Sequence, residues 1–327
     1  MNAADGASPR PDGEDPLGDA RISGAVMAQA VRCARDLAEC AGAYPDLFDA
    51  KPIDETLFNA VACANAFGSP RLPAAGLRIA ARTSLWIFGL DWLVDHVAAA
   101  RSEVDDINRR CLAVADGAPP VPGDGLTRFL ADLRDEIAAS PAFPALRDDW
   151  RRQLHRLLDC GAREWTWKST AAQAAGRAAG RAAGRAAGRA RGPAGGPVTP
   201  TFDEYLENAD NYGSAWVNIS HWIVHGDQGV LDRIGELQVV SREVQRILRL
   251  LNDLATYERD VTWGDLNAQM LGVDRAQITA RIGELVERCR ELVRPLRADC
   301  PEAVDYLERQ IGYSTGFYGI SDYWGSL

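Results

Sequence analysis

Three oxygen-bearing side chains recur at every fourth residue in the segment NDLATYERD. They are the amide of Asn252, the hydroxyl of Thr256 and the carboxylate of Asp260. In a helix each residue turns by about 100°, so steps of four drift by only about 40° and the three side chains share one stripe. Hard oxygen donors of this kind suit Mg²⁺. The spacing therefore indicates a magnesium site on a helix, although the same residues would also suit an ordinary polar helix surface.

A pair of aspartates lies far upstream in the segment WIFGLDWLVDH. Asp91 and Asp95 are also four residues apart, which places both carboxylates on one helical face. The aromatic and aliphatic residues around them predict burial, and buried carboxylates are costly unless they meet a cation or become neutral. A divalent cation would remove both the burial penalty and their repulsion, whereas ion pairs with Arg82 or Arg101 would remove them only in part.

Helical patterns separated by short Gly- and Pro-containing breaks extend over most of the chain, and strand-like alternation is scarce. We predict an all-α fold, a single antiparallel bundle of about ten helices around a central active-site cavity. The composition of residues 1–21 predicts a disordered tail before a folded domain at 22–327. A tandem AAGR repeat predicts a low-complexity loop insertion at 171–198, either a solvated loop or a cationic flap over the site.

Composition narrows the class of protein. The chain has 327 residues and a net charge of −10, which argues against nucleic acid as a partner. No apolar stretch reaches the roughly 20 residues of a membrane span, and the N-terminus lacks the apolar core of a signal peptide, so we expect no membrane partner and a cytoplasmic location. Seven scattered cysteines indicate free thiols rather than disulfides or zinc ligands. The oligomeric state stays open between a monomer and a homodimer.

Together the two polar segments resemble the metal-binding signatures of class I terpene synthases, and most of all those of bacterial diterpene cyclases. That family carries an aspartate-rich helix and, far downstream, a helix reading N-D-[LIV]-x-[ST]-x-x-x-[DE]. The resemblance covers most of residues 57–327 and implies a helical-bundle enzyme with Mg²⁺ as cofactor, three ions in number. It implies that the metal is bound by Asp91 and Asp95 of the first motif and by Asn252, Thr256 and Asp260 of the second. All of these residues except Asp95 are also implied to be catalytic.

The chain departs from this family at positions that contact diphosphate. The aspartate motif reads DWLVD, with Trp92 at its second position, and the C-terminal Arg-Tyr pair of the family is matched by Asp322 and Tyr323. The segment YLENADNYGS lacks the family's sensor arginine and offers only Asn208, Asp210 and Asn211. The resemblance therefore implies diphosphate binding by Arg259, Tyr323 and Asn208. Four cations could compensate for the losses, and the sequence does not choose between them: Arg259, Arg249, Arg309 and Lys168.

Aromatic side chains near the two motifs are candidates for the cavity wall, because ring faces stabilise carbocations by cation–π attraction. Core packing would explain each of them equally well. The candidates are Trp86, Phe88, Trp92, Tyr212, Trp216 and Trp324.

The function implied by the resemblance is metal-dependent ionisation of a prenyl diphosphate, followed by carbocation cyclisation and release of diphosphate. The expected substrate has 20 carbons, either geranylgeranyl diphosphate or a bicyclic labdane-type diphosphate. The bicyclic substrate would require a separate class II cyclase, since this chain lacks a D-x-D-D protonation motif. The alternatives are a sesquiterpene synthase that uses farnesyl diphosphate, a prenyl-chain elongating synthase, and a non-catalytic or degenerate helical-bundle protein.

Overall fold

A computed structural model describes residues 15–49, 52–186 and 199–324. These residues form thirteen α-helices and no β-strand, which confirms the predicted all-α class. The helices are α1 (Pro16–Gly42), α2 (Pro45–Phe48), α3 (Glu55–Gly68), α4 (Ala74–Trp92), α5 (Arg101–Ala115), α6 (Gly125–Ala138), α7 (Phe143–Ala186), α8 (Phe202–Glu207), α9 (Ser214–His225), α10 (Gln228–Asp232), α11 (Ile234–Trp263), α12 (Arg275–Val293) and α13 (Pro301–Tyr318).

Side-chain caps fix where many of these helices begin. Asp54, Asp124, Asp227 and Asp274 each accept a hydrogen bond from a backbone N–H in the first turn of the helix that follows. Thr201 does the same for α8. Such caps satisfy donors that the helix itself leaves unpaired, and each contributes about 1 kcal/mol to stability. The breaks between helices are thus encoded locally.

The first helix begins earlier than the composition predicted. We expected a tail to residue 21, but α1 starts at Pro16, with Asp19 in its first turn. Proline is well tolerated at the first helical position, and an acidic residue there interacts favourably with the helix dipole. Val26 and Ala30 already belong to the buried core. The remaining tail residues, 1–14, lie outside the described part of the chain.

The insertion predicted at 171–198 is also helical for at least half its length. Helix α7 continues through the AAGR units as far as Ala186, so this part is not a loop. Alanine has the highest helix propensity, and one glycine in four residues costs only about 1 kcal/mol, so the composition that suggested a linker also supports a helix. Residues 187–198 lie outside the described ranges.

The core is built on the apolar faces of the long helices. In α11, Val240, Val244, Ile247 and Leu251 follow helical spacing and are all buried. This helix packs against α12 and α13, while α4 packs against α9 and α3. All seven cysteines are free, as expected. None of the helices in the described ranges is long and apolar enough to cross a membrane.

Two local irregularities shape the bundle near its cavity. Helix α4 passes into a single π-helical turn, Leu93–Val97, where the N–H of Ala98 bonds to the carbonyl of Leu93 five residues before it. Gly213 joins a 3₁₀ turn, Ala209–Tyr212, to α9 with a left-handed φ of 83°. A Cβ at this glycine would lie 2.7 Å from the Cδ1 of Ile87, so both conformation and space require glycine.

A buried histidine makes the stability of the fold dependent on pH. The ring of His221 stacks on Tyr306 at 4.5 Å, and burial lowers the pKa of His221 to about 3. The unfolded chain binds this proton at about pH 6.5, so stability from neutral His221 is complete above that pH and is lost as pH falls towards 3.

Between pH 7.5 and pH 5, His221 should lower the unfolding free energy of the wild-type protein by roughly 2 kcal/mol. We therefore expect His221→Phe, which keeps the stacking, to abolish this part of the pH dependence. Urea denaturation at the two pH values measures this. His155→Phe is the control, since this half-exposed histidine on α7 pairs with Asp159 at the surface, and the change should alter the difference by less than about 1 kcal/mol. An equal pH dependence in His221→Phe and the wild-type protein would contradict the assignment.

Candidate active site

One cavity of about 230 Å³ lies at the centre of the bundle, between α3, α4, α7, α9, α11 and α13. Most of the residues predicted to act on a diphosphate or to form the cavity wall do line it. They are Asp91, Asp95, Asn252, Asp260, Arg259, Tyr323, Phe88, Tyr212 and Trp324. Residues from α4 and α11, which are 161 positions apart at Asp91 and Asn252, therefore meet at one site.

The aspartate pair carries unfavourable charge in this cavity. Burial raises the pKa of Asp91 well above its ordinary value, and the neighbouring carboxylate of Asp95 adds to the rise. The π-helical turn that contains Asp95 keeps its side chain on the same side as Asp91, since both line the cavity. Such turns often occur at functional sites.

The arginines that could have neutralised this pair are engaged elsewhere. Arg82 forms an ion pair with Asp36, and Arg101 forms one with Asp105. Asp95 instead accepts a hydrogen bond from Lys168 on α7, with 2.7 Å between Nζ and Oδ1. Among the described residues, neutralisation of the aspartate pair by protein cations, which is the alternative to metal binding, thus depends on one lysine.

The triad on α11 is held by a network of hydrogen bonds. The hydroxyl oxygen of Thr256 lies 2.9 Å from the carbonyl oxygen of Asn252 and 2.7 Å from Oδ2 of Asp260. The same Oδ2 accepts a hydrogen bond of 2.9 Å from the buried Asn267. Burial raises the pKa of Asp260, and the bonds from Asn267 and Thr256 oppose that rise. Nη2 of Arg259 lies 3.4 Å from the other oxygen, Oδ1, so the carboxylate is fixed in place and its charge is balanced in part.

The chain turns back after α11 to supply Asn267. Gly264 ends the helix with a left-handed φ of 77°, and the N–H of Asp265 bonds to the carbonyl of Asp260. Asn267 also donates to the backbone carbonyl of Asp253, at 2.8 Å. The GDLN segment that follows the triad therefore positions the last of its three side chains.

Arg259 presents unsatisfied donors to the cavity. Its Nη1 lies 2.7 Å from Oδ1 of Asp322, but the N–H directions miss that carboxylate. Nε and Nη1 are buried and form no hydrogen bond within the described part of the chain. The guanidinium also lies over the ring of Trp263, 5.2 Å from its centre. Because a buried donor without a partner is costly, these nitrogens form a site ready for an anion.

A second arginine, Arg249, lines the cavity and is held there by protein partners. Its Nη2 donates to Oε1 of Glu164 at 2.9 Å, and its Nε donates to the hydroxyl of Tyr205 at 2.6 Å. That hydroxyl donates in turn to Asp253, whose pKa burial raises to about 7. Arg249 therefore anchors α7 to α11 at the wall of the cavity.

Five predicted residues do not line the cavity as expected. Trp86 and Trp216 pack edge to face at 5.0 Å within the core, and the ring of Trp92 lies outside the cavity wall, tilted against the ring of His96 at 4.5 Å. Asn208 is buried and donates to the carbonyl of Cys160, which makes it a structural residue. Thr256 also lies behind the wall, where it supports Asp260.

Sequence analysis missed several residues of the site. Glu164 and Asp265 line the cavity but belong to no motif of recognisable spacing. Tyr318 also lines it, and its hydroxyl lies 2.8 Å from that of Tyr212 and 3.4 Å from Nδ2 of Asn252. A tyrosine near the end of an amphipathic helix gives no signal by itself, since its partners come from distant segments.

The donor set suits Mg²⁺ held together with a ligand. In the described ranges, no three His, Cys, Asp or Glu side chains converge on one point. The cavity instead offers carboxylate and amide oxygens from two walls, at Asp91 and Asp95 and at Asn252 and Asp260. Mg²⁺ is commonly bound by one or two carboxylates together with substrate phosphates and water, so this arrangement fits the ion.

Comparison with known proteins agrees with this geometry. The chain is 28% identical over 305 residues to ent-pimara-9(11),15-diene synthase from Streptomyces sp. (strain KO-3988), a match that covers 91% of this chain and 93% of that protein. No family model matches the sequence.

Two solved structures share the fold. The structure of 2-methylisoborneol synthase from Streptomyces coelicolor A3(2), in complex with Mg²⁺ and 2-fluoroneryl diphosphate, has a TM-score of 0.66 and 14% identity, covering 98% of this chain and 96% of that one. Linalool/nerolidol synthase from Streptomyces clavuligerus, in complex with 2-fluorogeranyl diphosphate, has a TM-score of 0.58 and 17% identity, covering 89% and 97%. The chain is thus similar along most of its length to a pimaradiene synthase from Streptomyces, and it shares the all-α fold of solved Streptomyces terpene synthases.

Proposed function

We propose that this protein is a terpene cyclase, which ionises a 20-carbon prenyl diphosphate and cyclises the resulting carbocation to a diterpene. The observation that carries the proposal is the meeting of Asp91 and Asp95 with Asn252 and Asp260 in one cavity, beside the unsatisfied donors of Arg259. Acidic and amide oxygens alone would repel a diphosphate. Together with Mg²⁺ they would bind it.

The diphosphate end of the substrate would lie between the two metal-binding helices. Asp91 and Asp95 would hold Mg²⁺ from α4, and Asn252 and Asp260 would hold it from α11, with Thr256 orienting Asp260. Bound Mg²⁺ neutralises the charge of the leaving diphosphate. Arg259 would donate from Nε and Nη1 to its oxygens, because neither nitrogen forms a hydrogen bond in the described chain.

The hydrocarbon end would extend into the cavity towards α3 and α13. Phe88 and Trp324 lie at 5.2 Å edge to face, and Tyr323 packs beside them, so the C-terminal segment covers one side of the cavity with rings. Ring faces stabilise a carbocation and their bulk excludes water that would otherwise quench it. These residues would therefore protect the cation until it loses a proton or gains water.

The 20-carbon substrate is favoured by the relative named for a pimaradiene product, which matches most of the chain. Geranylgeranyl diphosphate and a bicyclic labdane-type diphosphate supplied by a class II cyclase both fit this class. The neighbours with solved structures are named for products of other sizes, and their complexes contain 2-fluoroneryl and 2-fluorogeranyl diphosphate. Farnesyl diphosphate is thus the second candidate substrate.

Incubation with geranylgeranyl, labdadienyl and farnesyl diphosphates in the presence of Mg²⁺ tests the substrate class. We expect a cyclic product from one of the 20-carbon substrates, with kcat/KM roughly tenfold or more above that for farnesyl diphosphate. Gas chromatography and diphosphate release measure it. Preferred turnover of farnesyl diphosphate would favour the sesquiterpene synthase, and longer chains on addition of isopentenyl diphosphate would favour the elongating synthase.

Asn252→Ala tests whether the triad binds metal. We expect diphosphate release to fall by roughly 100-fold or more, since the variant removes a metal donor and leaves the helix intact. Asn59→Ala, at an exposed position of α3, is the matched control and should retain full activity. Release from Asn252→Ala equal to that of the wild-type protein, both at background level, would favour the non-catalytic alternative.

Asp322→Asn tests the ion pair that restrains Arg259. The wild-type carboxylate competes with the diphosphate for this guanidinium, so its neutralisation should tighten binding of inorganic diphosphate roughly tenfold in the presence of Mg²⁺. Arg259→Met should weaken binding. Asp232→Asn on the exposed α10 is the charge-matched control, and calorimetry measures all three. Unchanged or weaker binding by Asp322→Asn would show that the pair does not restrain Arg259.

A further inference from the structure

Lys168 connects the two metal-binding segments of the protein. Its Nζ lies 2.7 Å from Oδ1 of Asp95, in the π-helical turn after α4, and 2.5 Å from Oδ1 of Asp265, in the loop after α11. The lysine side chain is 13% exposed. It projects from α7, so three segments that are distant in sequence meet at one ammonium group.

The charges around Lys168 explain why a cation is needed there. Asp91, Asp95 and Asp265 all line the same part of the cavity, and the first two repel each other. A single ammonium that contacts two of the three carboxylates offsets much of this repulsion. Its hydrogen bonds use carboxylate lone pairs that a bound metal ion would otherwise take.

We propose that Lys168 is a positioning residue that competes with free divalent metal for Asp95 and so makes metal binding depend on the diphosphate. The inference rests on the proposed function, because it assumes that Asp95 is a metal ligand. Before substrate binds, the ammonium holds Asp95 and Asp265 together. When the metal arrives with a diphosphate, the phosphate oxygens complete its coordination, and Lys168 releases Asp95.

The composition of the site supports this dependence. Mg²⁺ without phosphate ligands would have to be held by few carboxylates, since no three acidic or histidine side chains converge among the residues described. It would also have to displace an ammonium already paired with two carboxylates. The diphosphate supplies both additional oxygens for the metal and negative charge that can accept the released ammonium.

Binding of Mn²⁺, used as a probe for the metal alone, tests the proposal by paramagnetic resonance of the free ion. In the absence of diphosphate, Lys168→Met should bind Mn²⁺ roughly tenfold or more tightly than the wild-type protein, because the competing charge is gone. Inorganic diphosphate should strengthen binding strongly in the wild-type protein and much less in the variant. Lys168→Arg, which keeps the charge, should behave as the wild-type protein does.

Arg163→Met is the matched control, since it removes one positive charge from an exposed position of the same helix and should leave Mn²⁺ affinity within about twofold. Circular dichroism checks folding, and Lys168→Gln replaces Lys168→Met if the apolar variant does not fold. No gain in Mn²⁺ affinity for the neutral variant would overturn the inference alone. Absence of Mn²⁺ binding even with diphosphate, in the wild-type protein and the variants, would overturn the proposed function as well.

Discussion

The structure depends on one electrostatic constraint, the placement of several carboxylates around one cavity in the centre of the bundle. Asp91 and Asp260 both have raised pKa values because of burial, and neither has a full counter-charge from the protein. Hydrogen bonds and one lysine keep these groups in place without neutralising them. A folded protein retains such a costly arrangement where it serves binding, and a multiply charged cation with its own anionic ligand satisfies it. The long helices and their caps serve to bring these groups together.

Much of this site could be predicted from the sequence because helical periodicity determines which side chains share a face. Asn252 and Asp260 are two steps of four residues apart and both lie on the cavity wall, and a single step of four does the same for Asp91 and Asp95 even though Asp95 lies in a π-helical turn. Helical periodicity predicts which side chains share a face, but not which other segments that face contacts. Hence it could not reveal Asp265, whose position depends on how the chain turns after α11.

Some residues lie elsewhere than the sequence predicted, because their positions depend on tertiary contacts that the sequence does not reveal. Trp86 and Trp216 are near the motifs in sequence, yet they belong to faces of α4 and α9 that pack against each other rather than on the cavity. Asn208 precedes the break at Gly213, and its amide is used to hold α7. Propensity was misleading in the AAGR units, where glycine suggested a linker but three other residues in each unit favour a helix. Each outcome depended on tertiary contacts or on a balance of small energies.

The π-helical turn at Leu93–Val97 has a consequence for mutations that change the length of the chain. Such a turn contains one residue more than an α-helical turn, so loss of any single residue there would restore regular geometry at little local cost. Loss of a residue between Asp91 and Asp95 would turn the two carboxylates by about 100° relative to each other, whereas loss of a residue after Asp95 would not. Length in this stretch is therefore under tighter constraint than the identity of most of its side chains. Substitutions such as the tryptophan at position 92 can be accepted where a one-codon deletion cannot.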